Sequence, residues 1–140
     1  MKIKFKRIND DAVIPNYAHP QDAGMDLYTP IPFELEPGER KSIPLGLCIE
    51  IPEGYVGLMW DKSGLSHKYG IKTFGGVIDA GYTGEIHVGV MNLSNKFFKF
   101  DKGHKVAQLL IQKIENVELV EVENLGESER GENRFGSTGK

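Results

Sequence analysis

Hydrophobic side chains recur at every second position through much of this chain. The clearest run is Ser42 to Ile51, where Ile43, Leu45, Leu47, Ile49 and Ile51 alternate with other residues. A period of two puts all five on one face of a strand, as in a half-buried sheet. Lys2 to Ile8 opens in the same way with Ile3 and Phe5, and Ile8 falls out of step. Phe33-Glu34-Leu35-Glu36 reads as a short strand stopped by a Pro37-Gly38 turn. Pro52-Glu53-Gly54 turns the chain into another strand, Tyr55 to Trp60. Val77-Ile78 and Glu85 to Met91 flank turn residues at Asp79-Ala80-Gly81-Tyr82, which predicts a hairpin or a wide corner.

Glycine and proline decide against helices in this half. Between Pro15 and Gly89 no stretch free of both exceeds six residues, whereas helices usually run about eleven and strands about five or six. The best helix candidate is Ser63 to Tyr69, with Ser63 as its cap and Gly70 as its terminator. His104 to Leu125 is free of both breakers and long enough for a helix. Its pattern favours two strands: an apolar one from Val106 to Ile114, a break at Glu115-Asn116, and a second around Val117 and Leu119. Gly126 to Lys140 holds one large apolar residue, Phe135, and is expected to form a mobile arm. About a dozen short strands without a fixed repeat predict an all-β sandwich, jelly roll or barrel.

The chain has 140 residues, one domain's worth at 15.6 kDa, with 39% hydrophobic and 26% charged residues. Its net charge of −3 argues against nucleic acid or an acidic membrane as the main partner. No apolar run approaches the ~20 residues of a membrane helix. The start, Met1-Lys2-Ile3-Lys4-Phe5, lacks a signal-peptide core. The single Cys48 excludes an internal disulfide and a cysteine-built zinc site. A cytoplasmic protein is expected.

Four turn-like clusters and the arm carry candidate chemistry. Ala23-Gly24-Met25-Asp26-Leu27, taken alone, is a glycine turn into a strand with Asp26 solvated. Asp61-Lys62-Ser63-Gly64-Leu65 is either a plain helix start or an anion site of free N–H groups, a hydroxyl and the Lys62 cation. In the third, Gly75 to Glu85, paired glycines admit a ligand to the backbone. There Asp79 could orient a water as general base, and Tyr82 offers a flat ring; the alternative is an Asp turn with Tyr filling a gap. In the fourth, Gln108 is a polar residue inside an apolar strand that needs a partner, either a ligand or another strand's backbone. The arm, Arg130 to Gly139, combines guanidinium groups, hydroxyls flanked by glycine, and Phe135. Arginine grips phosphate bidentately, a Gly-Ser-Thr-Gly run can wrap phosphates, and an aromatic can cover a base. Together the clusters describe a nucleoside-triphosphate pocket without a Walker or dinucleotide motif.

From Ala23 onward these residues resemble the trimeric dUTP pyrophosphatases, or dUTPases. The five motifs of that family occur in order: Ala-Gly-Met-Asp-Leu (23–27), Lys-Ser-Gly-Leu (62–65), Gly-Val-Ile-Asp-Ala-Gly-Tyr-Thr-Gly-Glu-Ile (76–86), Gly-His-Lys-Val-Ala-Gln (103–108) and Arg-Gly-…-Phe-Gly-Ser-Thr-Gly (130–139). The resemblance implies a distorted jelly roll of the dUTPase β-clip kind with one short helix. It implies a β domain over 1–125 and a flexible arm over 126–140 that closes on a neighbour's active site in a homotrimer. The implied reaction turns dUTP and water into dUMP and pyrophosphate, with Mg²⁺ on the triphosphate. By position, Asp79 is the catalytic residue that orients the water, and Tyr82 packs on the deoxyribose and excludes a 2′-hydroxyl. Gly76, Val77 and Ile78 read uracil through their backbone. Lys62, Ser63, Gly64 and Gln108 hold phosphate oxygens, and Asp26 reaches Mg²⁺ through water. Arg130, Gly136, Ser137 and Thr138 clamp the terminal phosphate while Phe135 covers the uracil. Lys62 stands where the family usually has Arg, and Gly103-His104-Lys105 where it usually has Gly-Asp-Arg.

Three other readings compete, one of them a structural β-domain such as a capsid jelly roll, which leaves the Arg130 to Gly139 arm unexplained. The dCTP deaminases share the fold but carry a catalytic glutamate where Gly89 stands here. A nucleotide-binding regulatory protein on the same scaffold would need no water-activating carboxylate at residue 79.

Overall fold

The computed structural model describes residues 1–126 together with Ser128 and Gly131. Its described residues form ten strands and one short helix in two four-stranded sheets and a two-stranded ribbon. The first sheet runs in the order β1 (Lys4–Arg7), β4 (Arg40–Glu50), β8 (Glu85–Asn92), β6 (Ile71–Phe74). The second runs β2 (Met25–Tyr28), β10 (Lys105–Lys113), β5 (Tyr55–Trp60), β7 (Val77–Ile78). β3 (Phe33–Leu35) and β9 (Phe98–Phe100) make the ribbon, and every pairing is antiparallel. This is the all-β jelly roll expected, with ten strands rather than about a dozen.

Alternation builds the core. Ile43, Leu45, Leu47 and Ile49 of β4 are buried, as are Ile86, Val88 and Val90 of β8 beside them. Leu27, Val106 and Leu109 from the second sheet join the same cluster. The ribbon closes one end with a stack of Phe33 on Phe100, ring centroids 4.5 Å apart. The long β4–β8 ladder shifts register between Pro44 and Cys48. Gly46 sits in that bulge at φ 66°, where a Cβ would lie 2.6 Å from Cβ of Asn9, so no other residue fits without displacement.

Two local expectations need correction. The helix α1 (Ser63–Tyr69) has the bounds foreseen and ends at Gly70 in the left-handed conformation, but its N-cap is Lys62. Ser63 is therefore the first helical residue, and no side chain caps the helix start. The second strand expected around Val117 and Leu119 does not form. Residues 114–126 lie outside any strand or helix, with Val117, Leu119, Val120, Val122 and Leu125 exposed. The alternation is present there, but no strand among the described residues pairs with it. No helix among the described residues is long and apolar enough to cross a membrane.

Candidate active site

Three of the motifs meet along one row of the second sheet. In the ladders Gln108 of β10 lies opposite both Asp26 of β2 and Trp60 of β5. The chain leaves Trp60 through Asp61 and Lys62 into α1, so the second motif starts where the first and fourth already adjoin. Gly24 packs against the Gln108 side chain so tightly that a Cβ would lie 2.5 Å from its Oε1. Gln108 Nε2 donates to the Asp61 carbonyl at 2.8 Å, which spends one of its two N–H groups on backbone and leaves one over. An open cleft of about 550 Å³ above this row is lined by Gly24, Asp61, Lys62 and Gln108, with Trp60 and His67 at its side.

Asp26 is not the solvated carboxylate that its turn suggests. It is 1% exposed. Lys62 donates to its Oδ1, and Lys105 Nζ lies 2.7 Å from its Oδ2. Burial pushes its pKa up, yet the two ammonium groups outweigh burial and hold it below the ordinary carboxylate value. Lys105 is raised in turn by the same carboxylate. Sequence reasoning quoted Lys105 within its motif but gave it no partner. The signal was a cation on the strand that pairs with β2.

Asp61 was missed in the same way. Its Oδ1 accepts from both the N–H and the hydroxyl of Thr73, each at 2.7 Å, and its Oδ2 from Lys72 at 2.6 Å. Burial raises its pKa, and these donors reverse that to leave it below the ordinary value. The carboxylate thus ties the exit of β5 to β6 and fixes the carbonyl that Gln108 uses. A depressed carboxylate pKa stabilises the fold above the unfolded value of about 4 and loses that contribution as pH falls through the folded value. Asp61→Asn should cost about 2 kcal/mol near neutral pH. Urea unfolding of parent and variant should show that gap closing as pH falls below the ordinary carboxylate range; a gap independent of pH would contradict the assignment.

The third motif lines a different cavity, of about 300 Å³. β7 pairs with β5 at the sheet edge, Gly57 opposite Ile78 and Leu58 opposite Val77. Ile78 is buried and anchors the edge, which leaves Asp79 exposed on the cavity rim. Gly76 is required here: its carbonyl accepts from the Met59 N–H at 2.7 Å, and a Cβ would sit 2.5 Å from the Met59 carbonyl. The Tyr82 N–H donates to the Asp79 carbonyl at 3.2 Å, and its hydroxyl donates to the Glu85 carbonyl at 2.8 Å. Gly84 lets that ring lie close, since a Cβ would be 2.6 Å from the tyrosine oxygen. His87, which sequence reasoning passed over, lines the same cavity.

Within one chain, then, Asp26, Lys62 and Gln108 are brought together, as are Val77, Ile78, Asp79 and Tyr82 with Gly76 behind them. The two groups line separate depressions on either side of β5. Ser63 and Gly64 are exposed at the start of α1. Arg130, Phe135, Gly136, Ser137 and Thr138 lie outside the described residues. At position 89 the glycine is buried, and a Cβ would meet the Phe74 ring at 2.7 Å, so the deaminase glutamate has no room.

Comparison with known proteins decides the family: the dUTPase family matches residues 10–139. This chain belongs to it. The deoxyuridine 5′-triphosphate nucleotidohydrolase of Clostridioides difficile is 42% identical over 139 residues, covering 98% of this chain and 97% of its own. A mutant dUTPase of Staphylococcus bacteriophage 80alpha, solved with dUpNHpp, superposes with a TM-score of 0.93 at 32% identity and 99% coverage of both chains. A mutant dUTPase of phage phi11 of S. aureus, described with a structural Mg(II) ion, has a TM-score of 0.84 at 28% identity, covering 91% of this chain and 100% of its own. The protein is a hydrolase of nucleotide metabolism that acts on dUTP.

A divalent ion can be tested against the residues present. Among the described residues no three His, Cys, Asp or Glu side chains cluster as a metal cage. Magnesium is commonly held by substrate phosphates with one or two carboxylates and several waters. Asp26 is buried with Lys62 against its Oδ1 and Lys105 against its Oδ2, so a water of a hydrated ion reaches this carboxylate only if one ammonium group moves aside. The described residues therefore do not by themselves make a protein-built Mg²⁺ site.

Proposed function

We propose that Asp79 orients a water for in-line attack on the α-phosphorus of dUTP. The water oxygen bonds to phosphorus, the bond to the bridging oxygen breaks, and pyrophosphate leaves with that electron pair. The water's proton passes to the carboxylate and then to solvent. The observation that carries this reading is the exposed Asp79 on a cavity rim, fixed between the buried Ile78 and the hydrogen-bonded Tyr82.

β7 is an edge strand, so the main-chain groups on its open side are free to pair with the polar edge of uracil. A pocket tight at that edge rejects the 5-methyl of thymine. The Tyr82 ring, held by the Glu85 carbonyl, packs on the deoxyribose and leaves no space for a 2′-hydroxyl. Lys62, Ser63, Gly64 and Gln108 bind phosphate oxygens. Mg²⁺ would supply positive charge on the triphosphate, with Asp26 turned toward its water. Arg130, Phe135, Gly136, Ser137 and Thr138 would complete the site as an arm from a neighbouring subunit. The separation of the two depressions in one chain supports a site shared within a homotrimer, as does the exposed apolar run after β10. In a cytoplasmic setting the reaction would limit uracil incorporation into DNA and supply dUMP for thymidylate synthesis.

The test is a substrate panel of dUTP, dCTP, UTP and dTTP, with pyrophosphate and ammonia followed separately. Pyrophosphate should come from dUTP at least about a hundredfold faster than from the others, with no ammonia from dCTP. Ammonia release, or equal turnover of UTP, would reject the reading.

A further inference from the structure

The turn that carries Asp79 and Tyr82 is tied to the bulge in the first sheet, and one side chain makes the tie. In the β4–β8 ladder Pro44 lies opposite His87 and Cys48 opposite Glu85, so Leu45, Gly46 and Leu47 stand against Ile86 alone. A bulge of this kind interrupts the regular exchange of main-chain hydrogen bonds and leaves groups unpaired. Gly46 is buried there, and a buried N–H without a partner is costly. The Glu85 side chain supplies the partner: its Oε1 accepts from the Gly46 N–H at 2.9 Å. The Gly46 carbonyl accepts from the Ile8 N–H, also at 2.9 Å, so both main-chain groups of the bulged glycine are held.

Glu85 holds Tyr82 as well, through its main chain. Its carbonyl accepts from the Tyr82 hydroxyl at 2.8 Å. The tyrosine is 48% exposed, so core packing does not set the angle of its ring. That hydrogen bond and the close approach of Gly84 set it instead. The place of the carbonyl depends on where β8 begins, and the Glu85 side chain pins that point to the bulge. One run of hydrogen bonds therefore leads from Ile8 through Gly46, Glu85 and Tyr82 to the Asp79 carbonyl. The second carboxylate oxygen lies 3.7 Å from His87 Nε2, too far for a hydrogen bond. The link to Gly46 thus needs an acceptor at Oε1 rather than a full charge.

We propose that Glu85 is a positioning residue that sets the selectivity of the site for the deoxy sugar. By bracing the Gly46 bulge it fixes the carbonyl that holds the Tyr82 hydroxyl, and with it the wall that a 2′-hydroxyl would strike. The inference rests on the reading of Tyr82 as the sugar-facing ring and goes beyond it by naming what holds that ring in place.

The test measures kcat/KM for dUTP and UTP, and by calorimetry the binding of their non-cleavable α,β-imido analogues. The proteins compared are the parent, Glu85→Ala, Glu85→Asp, Glu85→Gln, Tyr82→Phe and the double variant Glu85→Ala with Tyr82→Phe. Ala and the shorter Asp withdraw the acceptor from Gly46 and should lower the preference for dUTP over UTP about tenfold. Gln keeps an oxygen in the same place and should restore the parent preference. Tyr82→Phe cuts the other end of the link without touching the bulge and should lower the preference by a similar factor. The double variant should be no less selective than either single one, because the two residues act as a unit. If Glu85→Ala fails to fold, the Asp variant carries the same comparison. Overturning results are a parent-like preference in the folded Ala or Asp variant, even with a lowered urea midpoint, and additive losses in the double variant. The analogue titrations separate this proposal from the reading beneath it. A parent that binds both analogues equally refutes the role of Tyr82, whereas a parent and Glu85→Ala that discriminate alike refute only the role of Glu85.

Discussion

Asp79→Asn is expected to bind dUTP about as well as the parent and to hydrolyse it about a hundredfold more slowly, or slower still. The amide matches the carboxylate in shape, so the turn that carries it should survive. That turn is held by the main chain, through the Tyr82 N–H and the Asp79 carbonyl, and by the buried Ile78 before it. An amide cannot take a proton from water. The loss should therefore fall on kcat, with KM nearly unchanged, because an interaction made only in the transition state has gone. Single-turnover rates and equilibrium binding of a non-cleavable analogue separate the two effects. Parent-like turnover would remove Asp79 from the mechanism. Weakened binding with normal kcat would instead make it a contact to the sugar or base.

Much of this fold is legible in the sequence because most of its strands are short and the long one, β4, keeps its hydrophobic residues in alternation from Ile43 to Ile49. Tyr55 to Trp60 and Ser63 to Tyr69 have the bounds that glycine and proline punctuation suggests. The strand after Gly84 is bounded by the third motif itself. What alternation does not reveal is pairing. Val117 and Leu119 have the right period for a strand, yet no strand among the described residues pairs with them. Period reports the face a residue would present, not whether a partner exists.

The site shows the same division. Asp79, Tyr82 and Gly76 are recognisable because turns and close approaches need particular residue types, and those needs are local. The ion pairs of Asp26 and Asp61 are not local. Asp26 meets a lysine from each of two elements far along the chain, and Asp61 is claimed by β6 across a helix. A carboxylate in a glycine turn is ordinarily solvated, and only the docking of β10 beside β2 buries this one. Lys105 belongs to a motif whose usual cation is Arg, and the structure shows what that cation faces.

Charging the apolar run after β10 is expected to dissociate the homotrimer proposed above and to abolish most activity. Val117 is 71%, Leu119 89%, Val120 70% and Leu125 87% exposed, in a segment where apolar residues have no core to join. A contiguous exposed run of this kind marks an interaction surface. Burying each side chain against another copy would contribute roughly 2 kcal/mol, so several together can hold subunits that charge would separate. Val117→Asp with Leu119→Lys should leave the fold of the single chain intact, because nothing described packs on those residues. Light scattering should show the parent near three times 15.6 kDa and the variant near one. The turnover number should fall by about a hundredfold at low protein concentration, since the proposed shared site needs a neighbouring chain to join the Asp79 cavity to the Lys62 cleft. It should recover partly as protein concentration rises, by mass action. That recovery separates a lost interface from a damaged active site, whose specific activity would not depend on concentration. A variant that remains trimeric and fully active would show that the run contributes nothing to assembly.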